Sequence, residues 1–293
     1  MRLRTLSTTM LVLAGLVLTG SPAPAQKLYS PNFDKAWIEE QAPFRIAGNL
    51  YYVGSYDLAC YLITTPKGHI LINTGIPGSE NMLRRHVEAL GFKYADIKIL
   101  LATHAHFDHV GAMAAVKKAT GAKLMIEDKD APLLEDGGNS DYDFGGHGHM
   151  WVPVKVDRRL HDKDIVELGG MRITVLHHPG HTKGASSYLF TVRDDIRTYR
   201  VLIANMPTIL SETKFPSMPT YPTVGKDYGY TLDTMPKISF DIWLSSHAGQ
   251  FDLHKKLSKA KGYHPESFMN SRPAYDSALH ELREEYLKKM RAL

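Results

Sequence analysis

The chain has 293 residues, of which 43% are hydrophobic and 10% aromatic, so it is long enough to bury a large core. Its formal net charge at pH 7 is only +4, and no run of Lys and Arg is interleaved with aromatic residues. These features exclude a largely disordered chain. They also give no indication of a nucleic-acid or membrane partner, and we expect neither.

The N-terminus has the pattern of a secretory signal peptide. A basic start at Arg2 and Arg4 is followed by an apolar stretch over 10–18 and by the small-residue sequence Ala-Pro-Ala. The apolar stretch is too short for a stable membrane span, so the pattern predicts a signal peptide over 1–25 that is cleaved after Ala25. Its removal lowers the formal net charge from +4 to +2. We expect the mature protein to be periplasmic if the source is Gram-negative.

A single cysteine, Cys60, excludes an intrachain disulfide. A free cysteine in an apolar run is typically a small buried residue, and we expect Cys60 to be one.

Apolar runs bounded by Gly, Asn and Pro predict strands along the whole mature chain, at 44–46, 50–53, 59–65, 69–73, 97–102, 123–127, 165–168, 171–177, 186–192, 200–204 and 242–245. Amphipathic or Ala-rich segments predict helices at 79–90, 110–119, 130–135, 228–235 and 273–293. Two strand-rich halves with helices outside predict an α/β fold, a four-layer αββα sandwich. No linker separates the halves, so we expect one domain over 26–293.

The strand predicted at 97–102 leads into the segment Thr-His-Ala-His-Phe-Asp-His, which has four metal-ligand side chains in six residues. His104 and His106 are two residues apart, so an extended backbone points both to one side. Asp108 and His109 lie where a helix begins. Because adjacent side chains diverge, two neighbouring metals explain the four groups better than a single tetrahedral site.

The alternative is that Asp108 only caps the helix and that the histidines are solvated loop residues. The density of the HxHxDH pattern argues against it. A dinuclear centre with open positions needs about six protein ligands. His181 and His247 each follow a predicted strand and are the best candidates for the remaining two.

Other histidines are assigned less directly. His147 and His149 lie in the glycine-rich segment 137–150, where their HxH spacing could bind a metal, but no acidic or histidine partner adjoins them. A solvated, mobile loop is the favoured interpretation. Five further histidines lie on polar or helical stretches and are interpreted as surface residues: His86, His161, His254, His264 and His280. His177 and His178 could support a metal ligand, and the sequence does not decide this.

The motifs HAHFDH, PGHT and SSH follow in that order after a LINTG strand end. In this they resemble the metallo-β-lactamase superfamily of αββα hydrolases, and in detail the third subclass of class B β-lactamases. The resemblance implies two Zn²⁺ per chain. The first would be held by His104, His106 and His181, and the second by Asp108, His109 and His247.

The resemblance also implies an activity, which is hydrolysis of the β-lactam amide bond of antibiotics by a metal-bound hydroxide. Asp108 would then be catalytic as well as a ligand, because it would orient the hydroxide. Thr208 matches a hydroxyl position that binds the substrate carboxylate, and Phe144 matches a region that flanks the cleft. We expect a small-molecule β-lactam as the partner and a monomeric enzyme.

Several positions bear on competing assignments. Glyoxalase-like relatives place a bridging aspartate after the strand that follows the third histidine, whereas here the strand at 201–204 is followed by Asn-Met-Pro. Asn73 replaces a usual aspartate and Met206 a common serine, which would weaken metal binding. The alternatives are therefore another hydrolase of this fold, such as a lactonase or a glyoxalase-like thioesterase, or a degenerate metal-binding protein.

Overall fold

The computed structural model describes residues 28–29, 34–258 and 262–291, so the predicted signal peptide lies outside the described residues. The strands are β1 Phe44–Ala47, β2 Leu50–Tyr52, β3 Tyr61–Thr65, β4 Gly68–Ile72, β5 Ile97–Leu101, β6 Lys123–Glu127, β7 Arg158–Leu160, β8 Ile165–Leu168, β9 Met171–His177, β10 Ser186–Arg193, β11 Thr198–Ala204 and β12 Ile242–Ser245. The α-helices are α1 Glu80–Ala89, α2 Phe107–Val110, α3 Met113–Thr120, α4 Ala131–Glu135, α5 Val224–Thr234, α6 Leu253–Leu257 and α7 Arg272–Arg291.

The strands form two sheets. The first has the order β1-β2-β3-β4-β5-β6-β7, antiparallel up to β4 and parallel from β4 to β7. The second has the order β12-β11-β10-β9-β8, in which only the β11–β12 pair is parallel. This mixed α/β arrangement of two sheets with helices confirms the predicted fold class.

Alternating side chains explain why the sheets stack. In β4, Ile70 and Ile72 belong to the core cluster shared with strands of the second sheet, whereas Leu71 belongs to the cluster shared with α1 and α3. Successive strand residues point to opposite faces, so each central strand of the first sheet contributes side chains to both hydrophobic core clusters. Burial on both faces accounts for the near-continuous apolar runs in the sequence.

The helix predicted at 110–119 is divided into α2 and α3. Gly111 lies at the division, and a Cβ there would come within 2.3 Å of the backbone nitrogen of Pro77. Only glycine allows this close approach of backbone to backbone. Gly121 ends α3 in a left-handed conformation with φ 69°, as the sequence predicts.

One strand was missed. β7 is a short edge strand in which Arg158 and Arg159 are exposed and only Leu160 is buried, so it lacks the apolar signal of the other strands. Cys60 is buried, as predicted.

The loops that follow five strands meet at one edge of the sandwich. β4 and β5 are parallel neighbours, as are β11 and β12, so within each pair the carboxyl ends point the same way. β9 also runs parallel to β11, because both are antiparallel to β10. A hydrogen bond of 2.7 Å from Ser186 N to Thr103 O joins the two sheets at this edge.

Within the described part of the chain, no helix has the length and apolar character needed to cross a membrane.

Candidate metal centre

The HxHxDH segment leaves the carboxyl end of β5 and is held there from both sides. The Thr103 amide donates to Asn73 Oδ1 at 2.9 Å, and the Ala105 amide donates to Asp130 Oδ2 at 2.9 Å. These two bonds flank His104 and fix the backbone from which the first two candidate ligands project.

His104, His106 and His181 form a buried group that we call the three-histidine cluster. One ring nitrogen from each lies within 4.8 Å of the other two. Their ring centroids are 4.5 to 4.8 Å apart, in edge-to-face or nearly perpendicular arrangements. Three imidazoles directed at one point are a metal-binding arrangement.

Asp108, His109 and His247 form a second group, which we call the aspartate cluster. His109 Nε2 lies 3.0 Å and His247 Nε2 3.3 Å from the same carboxylate oxygen, Oδ2 of Asp108. Asp108 and His109 also lie within 4.8 Å of His104. The structure therefore brings together all six side chains that the sequence singled out.

A protein group holds the outward-facing nitrogen of three of these histidines. His181 Nδ1 is 2.8 Å from the Thr208 carbonyl oxygen, and His247 Nδ1 is 2.9 Å from Asp57 Oδ2. His106 is turned the other way, with Nε2 3.3 Å from Asp141 Oδ2, although neither of these two atoms makes a hydrogen bond. Contacts of this kind fix the tautomer and leave the opposite nitrogen free for the cluster.

The two clusters differ in their electrostatics. Burial lowers the pKa of His104 well below its usual value and that of His181 to about 3, so both rings are neutral at pH 7. Burial alone would raise the pKa of Asp108, but the contacts with His109 and His247 outweigh it and lower that pKa well below its usual value. Burial likewise opposes the charge on His247, yet Asp108 and Asp57 raise its pKa to about 9.

The donor set fits a bound metal. His104 Nε2, His106 Nε2 and both ring nitrogens of His109 are buried and make no hydrogen bond, although His106 and His109 each have a carboxylate close to Nε2. Buried polar atoms are normally satisfied, so several unpaired nitrogens on neighbouring rings indicate a missing partner. Five imidazoles and one carboxylate favour zinc over magnesium or calcium, which prefer oxygen ligands.

Asp130 links the two loops that carry the three-histidine cluster. Its Oδ2 accepts from the Ala105 amide and, at 2.7 Å, from the Thr182 hydroxyl, while its Oδ1 accepts from the Gly184 amide at 2.7 Å. The side chain is completely buried. Burial raises its pKa despite these three bonds.

The supporting carboxylates Asp57, Asp130 and Asp141 were missed in the sequence. No fixed spacing relates them to the HxHxDH motif. The available signal was weak: Asp57 follows a predicted strand end, and Asp141 lies three residues before Phe144 in the glycine-rich segment.

That segment, 137–150, is buried at five positions, which corrects the prediction that it is a solvated loop with little packing. Asp141 and Tyr142 are buried within it, and the Tyr142 hydroxyl donates to the His181 carbonyl at 3.1 Å. His147 is exposed and stacks on Tyr29 with ring centroids 5.1 Å apart. Neither His147 nor His149 belongs to a metal-binding group among the described residues.

His86 is a second correction. It is 5% exposed, and its Nδ1 lies 2.9 Å from the Val53 carbonyl, so it is not a surface residue. His178 is also buried, and its Nδ1 lies 2.7 Å from the Ser187 hydroxyl. Within the described part of the chain, His178 makes no hydrogen bond or ion pair with a candidate ligand.

Asn73 contacts the backbone beside His104 rather than a ligand side chain. It has a left-handed φ of 63°, and its Nδ2 donates to the Ala59 carbonyl at 3.3 Å while its Oδ1 accepts from Thr103. An aspartate could not make the donor contact. Met206 is buried, with 4% exposure, and lines a pocket together with Thr208 and α7.

Two further predicted site residues lie at the three-histidine cluster. Thr208 is partly exposed, and its hydroxyl is 3.2 Å from His181 Nδ1. The Phe144 ring stands edge-on to His106, with centroids 5.2 Å apart.

Comparison with known proteins agrees with this geometry. Residues 58–196 match the metallo-beta-lactamase superfamily. The structure of a β-lactamase from Chitinophaga pinensis is 57% identical, covers 90% of this chain and 100% of its own, and superposes with a TM-score of 0.89. The chain belongs to the metallo-β-lactamase superfamily.

Two further relatives show the range of this superfamily. The class B3 di-zinc metallo-β-lactamase LRA-12 from an Alaskan soil metagenome is 54% identical, with a TM-score of 0.87, and covers 90% of this chain and 100% of its own. A hydroxyacylglutathione hydrolase from a Bradyrhizobium species is 30% identical over 130 residues, which are 44% of this chain and 42% of that protein. The similarity to the class B3 enzyme therefore extends over much more of this chain than the similarity to the hydroxyacylglutathione hydrolase.

Proposed function

We propose that this protein is a metallo-β-lactamase, a hydrolase that opens the cyclic amide of β-lactam antibiotics and so confers resistance. One observation carries the proposal: the three-histidine cluster and the aspartate cluster converge at one edge of a metallo-β-lactamase fold. Relatives that are 57% and 54% identical over 90% of the chain and are named as β-lactamases support it.

The proposed cofactors are two zinc ions per chain. His104, His106 and His181 would hold one ion, and Asp108, His109 and His247 the other. When bound, these ions would supply a water activated at neutral pH and a Lewis acid for the amide carbonyl, so no serine or cysteine nucleophile would be needed.

The chain's own residues would orient the reacting groups. Asp108 lies between His109 and His247, so its carboxylate is fixed and would accept a hydrogen bond from the attacking water. Thr208 O and Asp57 prevent rotation of His181 and His247. Preorganised groups of this kind cost no reorganisation during the reaction.

Substrate recognition would fall to side chains at the rim. The Thr208 hydroxyl is partly exposed beside His181 and would bind the substrate carboxylate. Phe144 would provide an apolar wall, since its ring packs against both His106 and Phe107. An anionic bicyclic amide fits these two requirements.

Another hydrolase activity on the same fold is the second candidate. The match to hydroxyacylglutathione hydrolase favours thioester cleavage, and a lactonase belongs to the same class of alternatives. Against both, β11 is followed by Asn205 and Met206, which offer no carboxylate to bridge two metals. A degenerate metal-binding protein is less favoured, because a structural zinc site would need only four closed ligands.

The test is hydrolysis of a chromogenic cephalosporin and a carbapenem by the purified mature protein, with and without a chelator. We expect turnover that is lost on chelation and in His106→Ala, and that is retained in the matched control His280→Ala, since His280 is exposed. Absence of turnover by protein carrying two zinc ions would refute the assignment and favour lactones or thioesters.

We also propose that residues 26–293 act as a single monomeric domain in the periplasm. The basic and apolar N-terminal pattern supports export. N-terminal sequencing of protein from the periplasmic fraction should begin at Gln26, and light scattering should give the mass of one chain.

A further inference from the structure

Asp141 contacts two different parts of the molecule with its two carboxylate oxygens. Oδ1 accepts hydrogen bonds from the backbone amides of Asp143 and Phe144, at 2.8 and 2.7 Å. Oδ2 lies 3.3 Å from His106 Nε2. The side chain is fully buried. A single residue therefore shapes the turn that carries Phe144 and also holds a candidate metal ligand.

The Asp141 carboxylate favours one tautomer of His106. Oδ2 and Nε2 are at ion-pair distance without the geometry of a hydrogen bond. A carboxylate beside Nε2 stabilises a proton there and leaves the lone pair on Nδ1 for the three-histidine cluster. His181 and His247 show the opposite arrangement, because each has Nδ1 on its protein partner. His106 thus depends on a carboxylate in segment 137–150 for its ligand-competent form.

The segment is held both at the three-histidine cluster and away from it. Beyond Asp141, the Tyr142 hydroxyl donates to the His181 carbonyl, and the Phe144 ring packs against His106. Both contacts reach members of the three-histidine cluster. Other contacts hold the segment outside the cluster, on Tyr29, Phe107, Thr220 and Tyr221. The turn at 141–144 is the part that touches the cluster, so its order should depend on the positions of these histidines.

We propose that Asp141 is a positioning residue that couples metal binding at the three-histidine cluster to the ordering of segment 137–150. Metal bound by His106 fixes the ring, the ring fixes Asp141, and Asp141 fixes the turn that places Phe144 beside the cleft. Without metal, or without the Asp141 carboxylate, the turn loosens. This inference rests on the proposed zinc site but not on the identity of the substrate.

The first test measures amide hydrogen exchange in the wild-type protein, with zinc bound and after chelation. Zinc alone is the probe, so the result does not depend on β-lactam turnover. We expect residues 139–148 to exchange substantially faster after chelation, with no comparable change around α7. Equal exchange of this segment in both states would overturn the proposal without any variant being made.

The second test compares Asp141→Asn with the matched control Asp143→Asn, which removes a charge from the same turn without touching a candidate ligand. Competition with a chromophoric chelator reports the affinity for each of two zinc ions. Loss of a partner that orients a metal ligand typically weakens affinity about 10- to 100-fold, and we expect this for one zinc ion in Asp141→Asn only. In Asp141→Asn, the amide hydrogens of residues 139–148 should exchange fast even with zinc present.

Cobalt substitution adds a spectroscopic reading. The visible bands of cobalt in the three-histidine cluster should shift in Asp141→Asn, be unchanged in Asp143→Asn, and recover in part in Asp141→Glu. Wild-type zinc affinity in Asp141→Asn, or weakened affinity with normal zinc-dependent exchange of the segment, would contradict the coupling.

Discussion

The two clusters of the candidate metal centre are held in place by different kinds of contact. The three-histidine cluster is buried and contains no acidic residue. Its position depends on two carboxylates outside it, since Asp130 accepts from the Ala105 amide and Asp141 lies against His106. The aspartate cluster is linked internally, because Asp108 contacts both His109 and His247, and His247 continues to Asp57. The first cluster therefore depends on its surroundings, while the second holds much of its own arrangement.

The largest expected effect comes from breaking the three-histidine cluster. His181→Ala should lower turnover of a chromogenic cephalosporin by more than about 100-fold, since loss of a ligand exceeds the usual effect of losing a ligand's partner. Native mass spectrometry should show less than two zinc ions per chain. His161→Ala, at an exposed position, is the control, and an equal loss there would show that the effect is not specific.

Asp130→Ala tests whether the three-histidine cluster depends on the hydrogen bonds that Asp130 accepts from the two ligand-bearing loops. The change leaves the Ala105 and Gly184 amides and the Thr182 hydroxyl without their acceptor in a buried site. We expect the free energy of unfolding to fall by about 3 kcal/mol or more, measured by urea denaturation. Asp128→Ala should cost far less, because its ion pair with Arg159 is exposed. Similar losses in the two variants would contradict this role.

Asp57→Asn tests the corresponding support of the aspartate cluster. Asp57 accepts from His247 Nδ1 at 2.9 Å and from the Gly249 amide at 3.1 Å. An amide weakens the hold on His247, so one zinc ion should bind about 10-fold less tightly in chelator competition. The other zinc ion should keep its affinity. Equal weakening of both would show that the two clusters are not supported independently.

Asn73→Asp tests the residue that holds the backbone next to His104. The Asn73 Nδ2 donates to the Ala59 carbonyl, and a carboxylate there would face that carbonyl without a proton to donate. We expect a loss of about 1–3 kcal/mol in the free energy of unfolding. Unchanged or higher stability, measured by urea denaturation in the metal-free protein, would show that the amide donor is unimportant.

The smallest effect concerns the acidic residues beneath the three-histidine cluster. Burial raises the pKa of Glu127 to about 7, so the folded state disfavours its charged form. Burial of the ionised carboxylate therefore lowers the free energy of unfolding. This loss is absent well below the unfolded pKa of about 4.5, grows as the pH rises towards 7, and reaches its full size above pH 7. Glu127→Gln should therefore raise the melting temperature at pH 8 and leave it nearly unchanged at pH 4. An equal change at both values would exclude this cause.

The sequence predicted the fold class and the members of both clusters because their signals are local. The HxHxDH motif places four groups within six residues, and His181 and His247 each follow an apolar strand. The supporting carboxylates are different. Asp57, Asp130 and Asp141 come from separate loops, and only the folded chain brings each of them to its partner.

Burial of polar residues was also hard to predict. His86 has polar neighbours in the sequence of its helix, yet it lies on the buried side of that helix, where its ring contacts the Val53 carbonyl. Segment 137–150 has the composition of a solvated loop, but its Asp141 and Tyr142 pack onto ligand-bearing loops. Composition reports average behaviour, whereas these contacts depend on tertiary position.

The central claim is that the two clusters together form a dizinc centre that cleaves β-lactams. Its most direct test is to add zinc in steps to the chelated mature protein, recording zinc per chain by native mass spectrometry and turnover of a cephalosporin and a carbapenem in the same samples. We predict turnover that appears as zinc binds and reaches a plateau at two ions per chain. Two bound zinc ions without turnover of either substrate would contradict the account.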